Sequence, residues 1–586
     1  MCGYIFLKSN IKKDHNSIKK SIPKIENRGP DQTNIIHLQN KTLIHTRLSI
    51  VDINNGSQPM QASKDDINYW ILFNGEIYNH IELKNKLKRK YKFKTNSDTE
   101  VLLASYIVWG EKCLEKIIGM YSFVIVSNDE EIFCARDLTG QKPLFYSLNE
   151  DKIVISSIPI RFDQQKDISE ESIADFLING YLTSNRTILK EVFSLEPGFS
   201  LKIKNNQIKK FQFWKLEDYV KNKNNNSQDE LLRKTDHLLN KIVKNYKNQA
   251  DVPIALLLSG GIDSSLLLRY FQKNNILPDC YTLDTEDSKS ELEESKKYIN
   301  PIKHKIIKSK KINAEFFEYV YGNIFSQPFS DSSALNTSIL IKELSKKYKC
   351  AIGGDGADEI FAGYHDRIIH LGGNMIFNIS FYRRIISQII SRIKNKHLIK
   401  KIFFSGYRYP IFNLNIINDL LSTNFKSKDL FSYESENFKF NSKEKILIED
   451  FLTYLPNNIN IKLDEISMHY GVELRSPFQD RRIIEYALSI PAKNKFNKKL
   501  SKILLRKIHS NYLEDNSYNS KKGFGLNYEN FLKRKDMQNL YKKYVEKNSK
   551  ISKFINNKNI DKILNKNYSA KRWNYLCLAI WIEKNT

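Results

Sequence analysis

The chain has 586 residues, which is too long for one compact core, so at least two domains are expected. Its 93 Lys and Arg outnumber 66 Asp and Glu, but the lysines are spread along the whole sequence without an arginine-rich stripe, which argues against nucleic-acid binding. The six cysteines lack CxxC or zinc-like spacing and no stretch offers about 20 consecutive apolar residues, so we expect a cytoplasmic protein without a membrane segment.

Cys2 stands directly after the initiator methionine. If Met1 is removed, this residue carries both a thiol and an α-amino group whose ordinary pKa is about 8. A nucleophile with its own N-terminal amine needs no separate histidine as a base. Because a cysteine at position 2 is often incidental, its position alone does not establish catalysis.

Up to about residue 205, short apolar segments alternate with turns rich in Gly, Pro and Asn. Helical patterns over His80–Lys90 and Thr99–Trp109 lie between them. The pattern predicts an α+β domain over 1–205, with layered sheets and helices outside. A connecting hairpin strand and an Asn-rich linker follow at 206–227. The predicted strands are Thr42–Val51, Tyr69–Phe73, Tyr121–Ser127, Glu131–Ala135 and Lys152–Ile155.

From residue 228 to 586 the pattern changes to that of an open α/β sheet. A helix over Asp229–Tyr246 precedes a continuous apolar run at Val252–Leu258, which is short enough for a buried parallel strand. Further strands are predicted at Asp279–Leu283 and Lys349–Ile352. The region 368–460 is predicted to be mostly helical and basic, and it contains no motif to which we assign a role.

A glycine-rich motif, SGGIDSS, occupies Ser259–Ser265 between the first of these strands and a helix. Adjacent glycines allow the backbone to approach a bulky anion, and the helix N-terminus favours negative charge. The motif therefore predicts a phosphate site. Asp263 would repel a phosphate unless a divalent cation lay between them, so magnesium is implied. The lysine of a Walker loop is absent.

A second motif, GGDGADE, spans Gly353–Glu359 directly after another predicted strand. Ligands of open α/β sheets bind outside the carboxyl ends of the strands, so both glycine-rich loops should face one crevice. Three acidic residues in that crevice could hold Mg²⁺ or orient a substrate.

Taken together, these loops and the N-terminal segment resemble the glutamine-hydrolysing asparagine synthetases of the bacterial B type over nearly the whole length. The matching stretches in the N-terminal half are Cys2-Gly3, Arg28–Asp31, Arg47–Asp52, Gly56–Met60, Asn74–Asn79, Ser97–Glu100, Arg136-Asp137 and Gly140–Leu144. In the C-terminal half, besides the two loops, they are Ser330–Ser333, Gly471–Asp480, Lys502, Leu505-Arg506 and Lys521–Gly525.

For the first domain the resemblance implies an N-terminal-nucleophile glutaminase with an αββα sandwich. Cys2 would attack the side-chain amide of glutamine to give a thioester and ammonia. Asn74 and the N–H of Gly75 would form the oxyanion hole. The implied glutamine-binding residues are Arg47, Ile50, Val51, Asn74, Gly75, Glu76 and Asp98, with Arg47 on the α-carboxylate and the two acids on the α-ammonium.

For the second domain the resemblance implies the adenine-nucleotide α-hydrolase (PP-loop) fold. Asp263 and Asp358 would bind Mg²⁺, Asp355 would lie beside the reacting carboxylate, and Lys502 would stabilise phosphate charge. Arg475 is interpreted as either a structural or a substrate-binding residue. The implied ATP-binding residues are Leu258, Ser259, Gly260, Gly261, Asp263, Ser264, Ser265, Leu283, Gly353 and Gly354.

The implied reaction is ATP-dependent amidation of L-aspartate by glutamine through β-aspartyl-AMP, with an internal route for ammonia. An open alternative keeps the chemistry but changes the acceptor to a uronic acid of a surface polysaccharide or to a peptide carboxylate. Two departures from the family pattern bear on it: Asp355 replaces the commoner Glu, and the segment Ser156–Arg161 differs. The sequence leaves open whether the chain forms a homodimer.

Overall fold

The computed structural model describes residues 2–149, 151–161, 167–183, 185–205, 207–247, 249–284, 303–309, 312–364, 411–412, 414–426, 442–512, 525–546, 550–556 and 569–586. Met1, the residues 521–524 of the predicted motif, and much of the predicted helical region 368–460 lie outside these residues. Most of the described part of that region is helical, at Leu414–Leu421, Ser442–Glu449 and Asp450–Asn460.

Seventeen strands are described, and they are numbered in chain order. The first domain contains β1 Gly3–Ser9, β2 Gln32–Leu38, β3 Lys41–Arg47, β4 Met60–Lys64, β5 Ile67–Ile77, β6 Gly119–Ser127, β7 Ile132–Arg136, β8 Phe145–Leu148, β9 Lys152–Ser156, β10 Phe193–Ser194, β11 Phe199–Lys204 and β12 Gln207–Gln212. The second domain contains β13 Ile254–Leu257, β14 Asp279–Asp284, β15 His304–Lys308, β16 Cys350–Ile352 and β17 Glu473–Arg475.

The helices are named by their residue ranges. Those before residue 250 are Lys12–Ser17, Ile22–Glu26, His80–Leu87, Asp98–Trp109, Glu170–Asn179, Glu217–Val220 and Gln228–Lys247. The α-helices after it, besides Leu414–Leu421 and Ser442–Glu449, are Ile262–Lys273, Ala314–Tyr319, Ser333–Leu344, Ala357–Phe361, Ile461–His469, Arg481–Ser489, Ala492–Lys495, Ile503–Tyr512, Tyr528–Leu532, Lys535–Tyr541 and Ser569–Asn585.

Two six-stranded antiparallel sheets form the centre of the first domain, in the orders β10-β8-β9-β1-β3-β2 and β12-β11-β7-β6-β5-β4. Successive side chains of β1 point to opposite faces of its sheet, and their contacts show how the two sheets and the helices are layered. Tyr4 and Phe6 point into the core between the sheets, whereas Ile5 and Leu7 pack on the outer side with Ile25 of the helix Ile22–Glu26. The helices His80–Leu87 and Asp98–Trp109 cover the other sheet. These layers confirm the predicted αββα sandwich.

The last strand of this sandwich lies beyond the predicted end of the domain at residue 205. β12 pairs with β11 from Phe199↔Gln212 to Lys204↔Gln207. The predicted connecting segment 206–227 therefore begins as an edge strand of the second sheet.

In the second domain, a five-stranded parallel sheet has the order β15-β14-β13-β16-β17. Ala255 and Leu256, adjacent on β13, face two different apolar cores, because both faces of the sheet are covered by helices. From β13 the chain continues to β14 and β15 on one side, and then returns to β16 on the other side of β13. A ligand crevice is expected between β13 and β16, where the order of the strands reverses. The predicted open α/β sheet is confirmed.

β15 and β17 were not predicted as strands. β15 has the sequence HKIIK and lies at the edge of the sheet, so it lacks the continuous apolar run of a central strand. β17 has only three residues. The predicted strand Thr42–Val51 ends at Arg47, because Leu48–Val51 turns away into a loop that Arg47 itself holds.

One apolar cluster crosses the boundary between the domains. From the first domain it takes Leu48, Ile50, Tyr78, Met120 and Leu138. From the second it takes residues of β13 and of the helices Gln228–Lys247, Ile262–Lys273 and Ile503–Tyr512. The two domains thus share a buried core rather than meeting only through polar surfaces. No helix among the described residues is long and apolar enough to cross a membrane.

Candidate active sites

Cys2 is buried at the entrance of β1, with 6% of its surface exposed. Its backbone N–H donates to Oδ1 of Asn74 at 3.1 Å, and its carbonyl accepts from Nε of Arg28 at 3.3 Å. Burial raises the pKa of the Cys2 thiol, whereas the backbone N–H of Leu48 and the charge of Arg47 lower it. A thiol held this way is placed beside Asn74 and Arg47, two of the residues predicted to bind glutamine.

Asn74 and Gly75, on β5, have the features expected of an oxyanion hole. Nδ2 of Asn74 is buried and has no hydrogen-bond partner among the residues that the structure describes. Gly75 has φ +152°, and a Cβ there would lie 2.1 Å from the carbonyl oxygen of Met120. Only glycine therefore fits at this position. An unpaired buried amide donor is costly unless a ligand accepts from it, so Nδ2 is suited to a developing oxyanion.

Replacing Asn74 by aspartate should lower the kcat for glutamine hydrolysis by about 10² to 10³-fold. The aspartate keeps an oxygen facing the backbone of Cys2 but lacks the N–H donors. Glutamate release from glutamine without ATP measures the effect. Asn74 has no role as an oxyanion donor if the Asn74→Asp protein hydrolyses glutamine at the rate of the parent.

Arg47 holds the loop that follows β3. Nη1 donates to the carbonyl of Ile53 at 2.9 Å, and Nη2 donates to the carbonyls of Val51 and Asp52 at 3.0 and 2.8 Å. Of the five N–H donors of an arginine, two remain for a ligand. The structure thus gives Arg47 a role in shaping the loop 50–53, in addition to the predicted contact with the α-carboxylate of glutamine.

Glu76 and Asp98 form a pair of buried acids next to the oxyanion residues. Asp98 accepts from the backbone N–H of Ile77 at 3.0 Å, and the neighbouring Ser97, rather than Asp98, caps the helix Asp98–Trp109. Burial raises the pKa of both carboxyls, and the proximity of Asp98 raises that of Glu76 further. Within the described part of the chain, Oε1 of Glu76 has no hydrogen-bond partner. The pair is suited to an ammonium group.

In the second domain, the predicted phosphate loop lies between β13 and the helix Ile262–Lys273. Gly260 has φ +77°, a conformation that favours glycine. The hydroxyl of Ser264 accepts from the backbone N–H of Ser259 at 3.2 Å, and that of Ser265 donates to the carbonyl of Gly261 at 2.8 Å. These contacts fold the loop around the N-terminus of the helix, where backbone N–H groups bind anions.

The second glycine-rich loop lies against the first. A Cβ on Gly354 would be 3.0 Å from Cβ of Asp263 and 3.3 Å from the backbone nitrogen of Ser264. Asp355 folds back so that its Oδ2 lies 2.8 Å from where a Cβ of Gly353 would be. β13 and β16 are neighbours, which explains why the loops that follow them meet. The two glycine-rich loops thus meet at the carboxyl ends of neighbouring strands, as predicted.

Lys502 connects the two carboxylates predicted to bind metal. Its Nζ lies 2.6 Å from Oδ2 of Asp263 and 2.6 Å from Oδ1 of Asp358. Oδ1 of Asp263 is buried, and no described residue hydrogen-bonds to it. Two carboxylates around one cation are the hard oxygen ligands that Mg²⁺ prefers, so these residues fit the metal. Within the described residues no group of three or more His, Cys, Asp or Glu side chains surrounds one point, so phosphate oxygens and water would complete the coordination.

Leu258 and Leu283, two of the residues predicted to bind ATP, lie at the ends of β13 and β14. The N–H of Leu258 donates to the carbonyl of Tyr281 at 2.9 Å, and its carbonyl accepts from the hydroxyl of Thr282. Leu283 is buried on β14, paired with Ile307 of β15. These residues lie at the carboxyl edge of the sheet, as predicted.

Several contacts between the domains were not predicted from the sequence. Oε2 of Glu76 pairs with Nη2 of Arg475 at 3.1 Å, and Oδ2 of Asp464 pairs with Nη2 of Arg28 at 2.8 Å. Asp464 also contacts Lys142. Arg475, left open between two roles, is thus an ion-pair partner across the domain boundary.

The altered segment Ser156–Arg161 lies near Cys2, because the hydroxyl of Ser157 accepts from the N–H of Tyr4 at 3.0 Å.

Comparison with known proteins agrees with the two-domain architecture. Residues 1–214 match the family model of a glutamine amidotransferase domain, and residues 234–583 match that of asparagine synthase. The chain belongs to the asparagine synthase family. Among its relatives in Bacillus subtilis, asparagine synthetase [glutamine-hydrolyzing] 1 is 28% identical over all of this chain and 97% of that protein. Asparagine synthetase [glutamine-hydrolyzing] 3 is 24% identical over 89% of this chain and 86% of that protein.

Membership of the asparagine synthase family confirms the resemblance inferred from the motifs. It also confirms the predicted order of a glutamine amidotransferase domain followed by a synthetase domain.

Proposed function

We propose that the protein amidates L-aspartate to L-asparagine with nitrogen from glutamine and energy from ATP, releasing glutamate, AMP and pyrophosphate. The proposal is carried by one observation: Cys2 lies against Asn74, whose amide donor is buried and unpaired among the described residues. The same chain carries two adjacent glycine-rich loops, Ser259–Ser265 and Gly353–Glu359, which we call the first and second nucleotide loops. The first arrangement suits amide hydrolysis and the second suits nucleotide chemistry.

In the first half-reaction, the Cys2 thiolate attacks the side-chain carbonyl carbon of glutamine. The oxygen gains negative charge facing Nδ2 of Asn74 and the N–H of Gly75. The C–N bond then breaks, and the nitrogen leaves as ammonia with the proton that the thiol gave up. Water hydrolyses the thioester to glutamate and restores the thiol. Glu76 and Asp98 hold the α-ammonium of glutamine throughout, and Arg47 faces the α-carboxylate.

In the second half-reaction, the side-chain carboxylate of aspartate attacks the α-phosphorus of ATP and pyrophosphate leaves, giving β-aspartyl-AMP. Ammonia attacks the acyl carbon and AMP leaves, which gives the amide. The loop Ser259–Ser265 holds the phosphates, Lys502 offsets their charge, and Asp355 positions the acceptor. Magnesium held by Asp263 and Asp358 would neutralise charge on the pyrophosphate.

A second acceptor class is favoured by one observation, the aspartate at position 355. Its carboxylate is one methylene shorter than the Glu common in the family, which leaves about an ångström more room for the acceptor. The alternative acceptors are a uronic acid of a surface polysaccharide and a peptide carboxylate. The mechanism is otherwise unchanged.

Pyrophosphate release from ATP, measured with glutamine across a panel of carboxylic acids, distinguishes these acceptors. We expect L-aspartate to give the largest rate, with one amide formed per pyrophosphate released. A uronic acid or a peptide carboxylate that gives the larger rate would establish the alternative. If L-aspartate releases no more pyrophosphate than a reaction without acceptor, asparagine synthesis is excluded.

A further inference from the structure

Arg475 is fully buried between the two domains, and its side chain and backbone serve different sites. Its guanidinium donates from Nη2 to Glu76 at 3.1 Å and from Nε to Glu473 at 2.5 Å. Its backbone carbonyl accepts from the N–H of Gly353 at 3.0 Å. A single residue of β17 therefore contacts a predicted glutamine-binding residue with its side chain and the second nucleotide loop with its main chain.

The side chain of Arg475 determines the state of Glu76. Burial and the nearby carboxyl of Asp98 both raise the pKa of Glu76, and the arginine opposes them. Arginine remains protonated in proteins, so it supplies a permanent charge. It occupies Oε2 and leaves Oε1 unpaired. Glu76 is thereby held with one oxygen available for an ammonium group.

The backbone of Arg475 determines the position of Gly353. Arg475 lies opposite Ile352 in the parallel ladder of β16 and β17, and the next residue along, Gly353, donates to its carbonyl. Gly353 and Gly354 begin the loop that lies against Asp263. A displacement of β17 would therefore move this loop relative to the phosphate site.

We infer that Arg475 is a positioning residue that couples the two sites, so that glutamine bound at Glu76 changes the affinity of the nucleotide loops for ATP. This inference rests on the proposed function, because it takes the ammonium of glutamine to lie at Glu76. The ammonium adds a positive charge to the acids that Arg475 faces, which shifts the balance of its contacts between Glu76 and Glu473. Coupling of this kind is reciprocal, so ATP changes the affinity for glutamine by the same factor.

A second connection between the sites supports the coupling. The N–H of Asp251 donates to the carbonyl of Ile50 at 2.9 Å, and Oδ2 of Asp251 accepts from the N–H of Asp52 at 2.8 Å. Just before it in the chain, the carbonyl of Gln249 accepts from Nη1 of Arg475 at 3.2 Å. This segment leads directly into β13 and the phosphate loop. The glutamine pocket is thus bonded to the elements that carry both nucleotide loops.

The test measures binding rather than turnover, in a protein that does not hydrolyse glutamine. In a Cys2→Ala background, calorimetry gives the Kd of ATP with and without saturating glutamine. We expect glutamine to change this Kd by about fivefold or more. In Cys2→Ala/Arg475→Lys, which keeps the charge but loses the forked contact with two acids, the change should disappear.

Two further variants make the result specific. Cys2→Ala/Glu76→Gln removes the negative charge of the same contact from the other domain without altering the buried arginine. At a glutamine concentration shown to saturate this variant, it should also remove the change in the Kd of ATP. Cys2→Ala/Arg481→Lys is the matched control. Arg481 also crosses between the domains, through the carbonyls of Leu114 and Glu115, but it contacts neither loop, so the change should persist.

Each outcome bears on the inference. A Kd of ATP that is independent of glutamine in the Cys2→Ala protein overturns the coupling. A change that survives in both the Arg475→Lys and the Glu76→Gln proteins leaves the coupling but removes Arg475 from it. Failure of the proposed function looks different: the parent enzyme would release no glutamate from glutamine, or glutamine would not bind the Cys2→Ala protein at all.

Discussion

Replacing Cys2 by alanine should abolish the use of glutamine while ammonia still supports amidation. The thiol is the only nucleophile proposed for the amide, so we expect glutamate release to fall by roughly 10⁴-fold or more. Ammonium chloride at alkaline pH bypasses this step, because free ammonia reaches the second site directly. Pyrophosphate release with ammonia and L-aspartate should therefore remain within a factor of about two to three of the parent enzyme, given that a buried thiol-to-methyl change is small.

Cys113→Ala is the control for the loss of a thiol. Cys113 is buried in the same domain, within the apolar cluster that covers the sheet of β4–β7. That variant should keep both activities. If Cys2→Ala lost the ammonia-dependent reaction as well, the residue would be needed for the fold or for contact between the domains. If it kept glutamine hydrolysis, the nucleophile would have to be sought elsewhere.

Replacing Lys502 by alanine should impair pyrophosphate release while glutamine hydrolysis persists, which is the opposite of the result expected for Cys2→Ala. Because Lys502 is the cation between Asp263 and Asp358, its loss removes the charge proposed to stabilise the reacting phosphates. We expect pyrophosphate release to fall by about 10² to 10³-fold with either glutamine or ammonia. Glutamate release without ATP should be unchanged, since the first site contains none of these residues.

Metal binding by the Lys502→Ala protein distinguishes the loss of the ammonium group from a general loss of structure. Without the ammonium group, the carboxylates of Asp263 and Asp358 lose the cation that lies between them, and a divalent cation is the natural replacement. We expect Mn²⁺, followed by its electron paramagnetic resonance signal, to bind this variant more tightly than the parent in the absence of nucleotide. Asp358→Asn/Lys502→Ala should lose that gain. Equal Mn²⁺ binding by Lys502→Ala and the parent would mean that Lys502 does not compete with the metal.

Local patterns predicted the parts of the site that lie close together in the chain. The phosphate loop was recognisable because glycines follow a short apolar run and precede a helical pattern, as the structure shows at β13 and Ile262–Lys273. The meeting of the two glycine-rich loops followed from sheet geometry, since both come after buried parallel strands. The layered sheets of the first domain were likewise indicated by alternating apolar residues.

Partners far apart in the chain could not be predicted in the same way. Glu76 and Arg475 are separated by 399 positions, and Asp263 and Lys502 by 239. No periodicity or spacing encodes such pairs, because they depend on how two domains pack. Glu473 and Arg475 lie only two residues apart in a recognised motif, but their contact on one face of a strand was missed because β17 was not predicted as a strand. Gln249 and Asp251 carry no motif at all.

The apolar cluster shared by the two domains has a consequence for the order in which the chain is synthesised. The first domain, with Leu48, Ile50, Tyr78 and Met120 on the side that the second domain covers, is complete by about residue 214. The cluster is complete only when the helix Ile503–Tyr512 is made, nearly 300 residues later, which at about 5–20 residues per second takes about 15 to 60 s. During that interval the nascent chain carries an incompletely covered apolar core, a natural point of attachment for a chaperone.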